Sequence, residues 1–387
     1  MNPLSFLKII ERSIRKRRKQ FFGETSERVT RIERSIRKRR KQFFGKSSER
    51  VTLAIYFNSL GNCFSREIAQ LLQAGLVQAG ISCHLRTEND YPSVEAEMHL
   101  VVAPHEFYRL GDGSRCLNRV SSDRLLLLNT EPRQTQWFKT ALPVFKRARH
   151  VFDIDLATVH ELERLGYSAS HLPLGYVENF APYDRRALLP ITPETEALGP
   201  SVTNWIDTDR PLTNRPIDLS FVGESNQRRS VFFARIAPRI ERFKSHLRLM
   251  PPGSGSRRVE GLPGNWHSRI TAGISQRSKI VLNVHRDENN HHFEWHGIVM
   301  MGIWQRALVI TETVADAPPF VSGVHLVQSS LDELPERIEY YLSDPCGVKE
   351  AETIRTAGFR QLKEQLHLPN ILKEAFRPFS HSPQIRP

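Results

Sequence analysis

The 387-residue chain is poor in cysteine and has no long apolar run. Cys63, Cys83, Cys116 and Cys346 stand far apart with no Cys-x-x-Cys. That spacing excludes a disulfide framework and predicts reduced, mostly structural thiols in a cytosolic protein. Nowhere do about 18 apolar residues follow one another, so no segment is expected to span a bilayer. The first ten residues lack a long apolar stretch ending in a small-residue cleavage site, so secretion is not expected.

The body of the chain also lacks an excess of either charge. Residues 1–52 hold 17 Lys or Arg against 5 acids, and the remainder holds 38 against 37, so the net charge of +13 belongs almost wholly to an N-terminal arm. The arm carries a duplication: Glu11–Thr30 and Glu33–Thr52 differ only at Glu24/Lys46 and Thr25/Ser47. Two copies fall short of a stacked solenoid. Leu4, Leu7, Ile10 and Ile14 form one helical stripe ahead of a basic run and Phe21-Phe22, which suits a helix lying on an anionic membrane surface through residues 1–50. The plainer alternative is a solvated arm without a partner. Nucleic acid is not an expected partner, because no aromatic stacking platform or reading helix accompanies the charge.

What is present from Val51 onward is an alternation of strands and helices. Strands are expected at Val51–Phe57, Ile81–Leu85, Met98–Ala103, Leu125–Leu128, His150–Ile154 and Ser170–Leu172, with helices at Ser65–Ala79, 135–148 and 156–165. This predicts an α/β first domain, 51–177, built on a doubly wound parallel sheet. Residues 178–216 hold six prolines and read as a connection. The pattern resumes over 217–345. It shows a strand Asp218–Val222, a helix Arg229–Phe243, a strand His246–Leu249, a Gly/Pro loop 251–265, a strand Val324–Gln328 and a helix Leu331–Leu342. Residues 346–387 read as a helical tail ending in a Pro-containing segment.

Residues 279–313 are the densest stretch. Apolar runs at Ile280–Val284 and Ala307–Ile310 flank Ile298, Met301 and Trp304 at helical spacing, which predicts a βαβ unit. Ligands of such units sit beyond the carboxyl ends of the strands, where His285, Arg286, Thr311 and Glu312 fall, and near the helix start, where Glu294 and His296 fall. His285, His291, His292 and His296 form one histidine cluster, with His292 and His296 expected on one helical face. A metal is the sharp alternative there. Zinc normally takes three protein ligands at defined spacing, and no His-Glu-x-x-His or Cys pattern is present, so no metal is expected.

Four stretches carry a family resemblance: Leu126–Pro132 (LLLNTEP), His171–Tyr176 (HLPLGY), Asp218–Arg229 (DLSFVGESNQRR) and Phe293–Thr313. Together with two sheet-bearing halves and a Pro-rich connection, they resemble the nucleotide-sugar glycosyltransferases of the GT-B fold, and Leu126–Pro132 is similar to a motif of their spore-coat-maturation-like group. The commoner donor motif of that fold has two glutamates eight positions apart. Here the residue eight before Glu312 is Trp304 and the residue eight after Glu294 is Gly302.

The resemblance implies two Rossmann-like domains and transfer of a sugar from a nucleotide-diphosphate sugar, which is a substrate, so no cofactor is expected. Diphosphate binding calls for close backbone approach at Gly223 and for Arg228, Arg229 and Arg286, although Arg228 and Arg229 also suit a solvated helix start. Ribose and sugar hydroxyls call for a carboxylate, first Glu294 and second Glu312, with His285, His296 and Thr311 nearby. An inverting reaction needs a general base on the first domain. His105 and Glu131 are the main candidates there, with Asp155 a further one and Glu106 as readily a surface residue. Gly61-Asn62 suits either an acceptor-side loop or a plain turn. The alternatives are a nucleotide-sugar epimerase on the same fold and a catalytically silent binding module tethered by its arm.

Overall fold

The computed structural model describes residues 51–206, 210–251, 266–287, 292–315 and 318–379. The basic arm with its duplication and apolar stripe, and His291, lie outside the described residues. The first sheet is six-stranded and parallel, in the order β2-β1-β3-β4-β5-β6. Its strands are β1 (Val51–Phe57), β2 (Cys83–Thr87), β3 (Ala96–Val102), β4 (Leu125–Asn129), β5 (His150–Asp153) and β6 (Ala169–His171). The second is five-stranded and parallel, in the order β11-β10-β9-β7-β8. It comprises β7 (Ile217–Glu224), β8 (Ser245–Met250), β9 (Ser278–Asn283), β10 (Leu308–Glu312) and β11 (Val327–Ser329). Runs such as Leu125–Leu128 and Leu308–Ile310 are buried along their whole length, as parallel strands covered by helices on both faces must be.

Helix α1 (Cys63–Gln78) starts where the Asn62 side chain accepts from the Phe64 N–H, and it buries Ile68, Leu71, Leu72 and Leu76. Helices α2 (Gln136–Phe145) and α3 (Leu156–Arg164) follow β4 and β5, and α4 (Gln227–Ile240) and α5 (Trp266–Gln276) belong to the second lobe. Next comes a helix at Trp295–Ile303 wound with a wider pitch, its last turns closing from Trp304 N–H to the Val299 carbonyl. The chain ends with α6 (Leu334–Ser343), α7 (Pro345–Gln365) and α8 (Leu368–Phe376). Helix α8 returns to the first lobe and lies on α1, so closely that a Cβ on Gly75 would stand 2.7 Å from Leu372. The second lobe's Trp295, Ile298 and Trp304, the first lobe's Leu53 and Leu72, and Leu368 and Leu372 of α8 belong to one apolar cluster. Each such buried side chain contributes roughly 1.5–3 kcal/mol.

The sequence expectation for β2 is displaced by two residues. The Ile81 N–H closes onto the Leu76 carbonyl, and pairing with β1 starts at Cys83 opposite Leu53. Helix α5 is an addition to the expected pattern. The connection carries short helices at Pro193–Glu196 and Pro200–Thr203, each with Pro in its first turn. It is tied to the second lobe by buried arginines: Arg277 donates to the carbonyls of Val202, Gly273 and Trp205, and Arg215 to those of Ser278 and Gln305.

Candidate functional site

The carboxyl ends of both sheets point into one cleft. On the second-lobe side, Glu312 at the end of β10 is nearly buried and accepts both Nη1 and Nη2 of Arg228, at 2.8 and 2.5 Å. It also accepts the backbone N–H of His285 at 2.6 Å. Arg228 reaches the His285 carbonyl as well. Arg229 donates to the carbonyls of Val284 and Glu224. These two arginines were expected at a phosphate or in solvent; the structure engages both with their own chain, where they clamp the turn after β9. Gly223 follows the same logic, because a Cβ there would meet the Phe221 ring at 2.7 Å and Arg229 at 3.2 Å. Its openness is filled by the protein rather than left for a ligand.

His285, held by that clamp, meets Glu294 at the start of the wide-pitched helix. His285 Nδ1 lies 3.1 Å from Glu294 Oε1, and the His285 Nε2 is buried without a hydrogen-bond partner. Burial alone would push the Glu294 carboxyl up. The His285 hydrogen bond and the charges of His285, His292 and Arg229 outweigh that and hold it below its ordinary value. Glu294 stands at the N-cap of the wide-pitched helix, and Gly297 in that helix faces Asn283 so closely that a Cβ would be 2.8 Å from its Oδ1. Wide-pitched segments of this kind recur at functional sites. Arg286 is largely exposed and pairs with Glu224 at 2.7 Å. Thr311 is fully buried and accepts from Asn283 at 3.1 Å, so it lies within the sheet and not on the cleft wall. Lys279, at the opposite end of β9, pairs with Asp218.

Two of the histidine expectations change. His292 precedes the helix, so it shares no helical face with His296. His296 itself turns toward the first lobe, 3.9 Å between ring centroids from Phe64 and 3.4 Å from Glu67 Oε1. Glu67, on α1, is fully buried and also accepts from Tyr183 Oη and Ser268 Oγ. This cluster joins the first lobe, the connection and the second lobe. A pocket beside it is lined by Phe64, Ser268, Asn283, His296, Gly297 and Met301. Among the described residues no group of three or more His, Cys, Asp or Glu is placed to hold a metal ion, and no helix is long and apolar enough to cross a membrane.

On the first-lobe side, the backbone after β3 turns through a left-handed Ala103 and presents His105 and Glu106. His105 Nε2 lies 3.5 Å from Glu131 Oε1, which follows β4. Burial and the neighbouring Arg109 push His105 down to about 4, so its imidazole is neutral at physiological pH. Burial, reinforced by the charge of Glu106, pushes Glu131 up to about 7 against the lowering effects of Thr135 and Arg286. The His171 ring, at the end of β6, lies 6.0 Å from that of Trp295, and Arg286 and Asp155 act on Glu131 and His292 respectively, so the two lobes adjoin at these strand ends.

Glu106 is not a surface residue. Its Oε2 accepts from the Asn62 N–H at 3.0 Å and from Ser65 Oγ at 2.7 Å, and a Cβ on Gly61 would meet it at 2.7 Å. The Gly61-Asn62 turn thus receives a carboxylate of the chain itself. Asp155 caps α3 by accepting from the Thr158 N–H and Oγ1. The site that sequence reasoning missed most clearly is this capping role of Glu106, whose partners lie more than forty positions away.

The sequence-predicted residues therefore fall into three groups. His285 and Glu294 pair with each other, and Arg286 beside them acts on Glu131, which lies next to His105. Arg228, Arg229 and Glu312 lie behind the first three as their support. Gly223, Thr311 and His296 are packed elsewhere.

Solved structures share this architecture. The structure of Anabaena HepE in complex with UDP-glucose aligns with a TM-score of 0.53 at 10% identity over 85% of this chain and 99% of that chain. The HepE complex with UDP and glucose gives 0.51 at 9% identity over 86% and 100%. Sucrose-phosphate synthase from Thermosynechococcus elongatus gives 0.53 at 12% identity over 85% and 98%. At such identities the likeness is one of fold: two Rossmann-like domains in the GT-B arrangement. No protein-family model matches the chain, and no curated protein matches it in sequence.

Proposed function

We propose that this chain is a glycosyltransferase, moving a sugar from a nucleotide-diphosphate-sugar donor held by the second lobe to an acceptor held by the first. The observation that carries the reading is the Glu294 carboxylate at the start of the wide-pitched helix, 3.1 Å from His285 and held below its ordinary value by it. The fold it shares with proteins solved with UDP-glucose supports the donor class.

In this reading Glu294 accepts hydrogen bonds from donor hydroxyls, His285 presents its buried Nε2 to the same ligand, and Arg286 supplies positive charge to the diphosphate. Arg228, Arg229 and Glu312 fix the turn and touch no substrate. Glu131 takes the acceptor hydroxyl's proton, which its pKa near neutrality suits, while neutral His105 orients it. Closure of the lobes excludes water from a donor that would otherwise hydrolyse. No metal or cofactor enters this scheme. The finer likeness to the spore-coat-maturation-like group rests on Leu126–Pro132 alone.

Incubation with nucleotide sugars, with and without acceptor, tests the reading through release of nucleoside diphosphate. Acceptor-dependent release that falls in Glu294→Gln and Glu131→Gln supports transfer. Conversion of donor alone would favour the epimerase, and binding without turnover the silent module. For the arm we propose peripheral contact with anionic membranes from a cytoplasmic location. Sedimentation with phosphatidylserine vesicles should retain the full chain and lose residues 51–387, and equal sedimentation of both would refute it.

A further inference from the structure

The Trp137 side chain is left 52% exposed. A single exposed apolar residue is ordinary in itself. What sets this one apart is where the fold puts it and how it is held. Trp137 lies in the first turn of α2, six residues after Glu131, at the cleft end of β4, and Thr135 caps that turn by accepting from the Phe138 N–H. The indole centroid is 6.1 Å from the His105 ring, which in turn lies 3.5 Å from Glu131. The Arg109 guanidinium stands over the indole at 5.8 Å and is itself fixed by donating to Thr140 Oγ1, one turn along α2, at 3.3 Å. A large flat apolar surface is thus supported by a cation and remains open beside the His105–Glu131 pair.

We propose that Trp137 is the stacking platform for a carbohydrate acceptor, a deepening that rests on the first lobe being the acceptor side. A pyranose ring has an apolar face of C–H groups and a rim of hydroxyls. Laid on the indole, its C–H face removes apolar surface of both partners from water. Its rim hydroxyls then meet Arg109 on one side and Glu131 on the other, which brings one acceptor hydroxyl within reach of the base. An acyl chain offers Arg109 and Glu131 no hydroxyl to bind, whereas a sugar rim meets both, which disfavours a lipid in this position. A nucleobase would also stack on an indole, but the donor-side residues His285, Arg286 and Glu294 belong to the opposite lobe.

Fluorotryptophan labelling of the full chain, followed by fluorine NMR, tests this directly, with the Trp137 resonance identified by its loss in Trp137→Phe. Methyl glycosides of glucose, galactose and mannose, maltose, cellobiose and UDP are titrated separately. The proposal expects a saturable shift of the Trp137 resonance with at least one saccharide. Calorimetry should show that Trp137→Ala weakens that saccharide by about tenfold or more, some 1.4 kcal/mol, and that Trp137→Phe largely preserves it. A shift caused by UDP alone, or no response to any saccharide up to the solubility limit, overturns it. The donor reading fails separately: a saccharide that moves Trp137 in a chain that no nucleotide sugar stabilises leaves the platform standing and removes the transferase.

Discussion

His285, just after β9, and Glu294, at the start of the wide-pitched helix, meet at 3.1 Å, and their contact holds a largely buried carboxyl below its ordinary value. Because the folded-state pKa of Glu294 is depressed, its contribution to stability is present above the unfolded carboxylate value of about 4.3 and is lost as pH falls through the folded value. Glu294→Gln should therefore destabilise the chain at pH 7 more than at acid pH. Urea unfolding of both proteins across that range checks this; a difference that does not shrink toward low pH would contradict it.

Glu131 carries the opposite sign. Its carboxyl is raised to about 7, so the folded chain binds this proton more tightly than the unfolded one, and stability is lost as pH rises from about 4.3 through 7. Glu131→Gln should stabilise the protein at pH 8 relative to pH 5, by at most about 3 kcal/mol at about 1.4 kcal/mol per unit. Transfer by the wild type should rise with pH through about 7, and the variant should lose that limb. A wild-type rate flat between pH 6 and 8 would remove Glu131 as the base.

The Arg228–Glu312 pair is nearly buried on both sides. Removing only the arginine leaves the carboxylate without its counter-charge and with the His285 N–H alone, so Arg228→Met should cost about 3–5 kcal/mol of stability, and Arg228→Met with Glu312→Leu should recover part of that. Denaturant midpoints of the two single variants and the double variant measure the coupling. Additive effects would mean that the two residues do not act as a pair.

Gly302 lies in the wide-pitched helix against β10, where a Cβ would stand 2.3 Å from Val309 Cγ2. Gly302→Ala should destabilise by about 1–3 kcal/mol through overpacking. A thermal midpoint equal to that of the wild type would show that the helix can move off the sheet.

Much of the frame was legible in the sequence, and the reasons are physical. Leu125–Leu128, Ile280–Val284 and Leu308–Ile310 are short apolar runs, and buried parallel strands leave few other readings. Helix α5 was not legible. It follows a Gly/Pro stretch, and its buried Ile270, Ala272 and Ile274 are diluted by Ser, Thr and Gly. The wide winding of Trp295–Ile303 was invisible for a different reason: Ile298, Val299, Met300, Met301 and Ile303 are all buried, so no polar face marks the helical phase. At the site, the nearness of His285 and Glu294 was readable because one follows a strand and the other starts a helix in one short unit. The support was not. Arg228 and Glu312 are 84 positions apart, and two arginines at a helix start look alike whether they meet phosphate, solvent or a buried carboxylate.

The most direct test of the donor site is thermal unfolding of the wild type and Glu294→Gln against a panel of nucleoside diphosphates and nucleotide sugars. At 100 times its dissociation constant a bound ligand should stabilise the wild type by about 2.7 kcal/mol. The account predicts that at least one nucleotide sugar does so and that the variant loses most of the shift. No shift with any member of the panel, or equal shifts in both proteins, would contradict it.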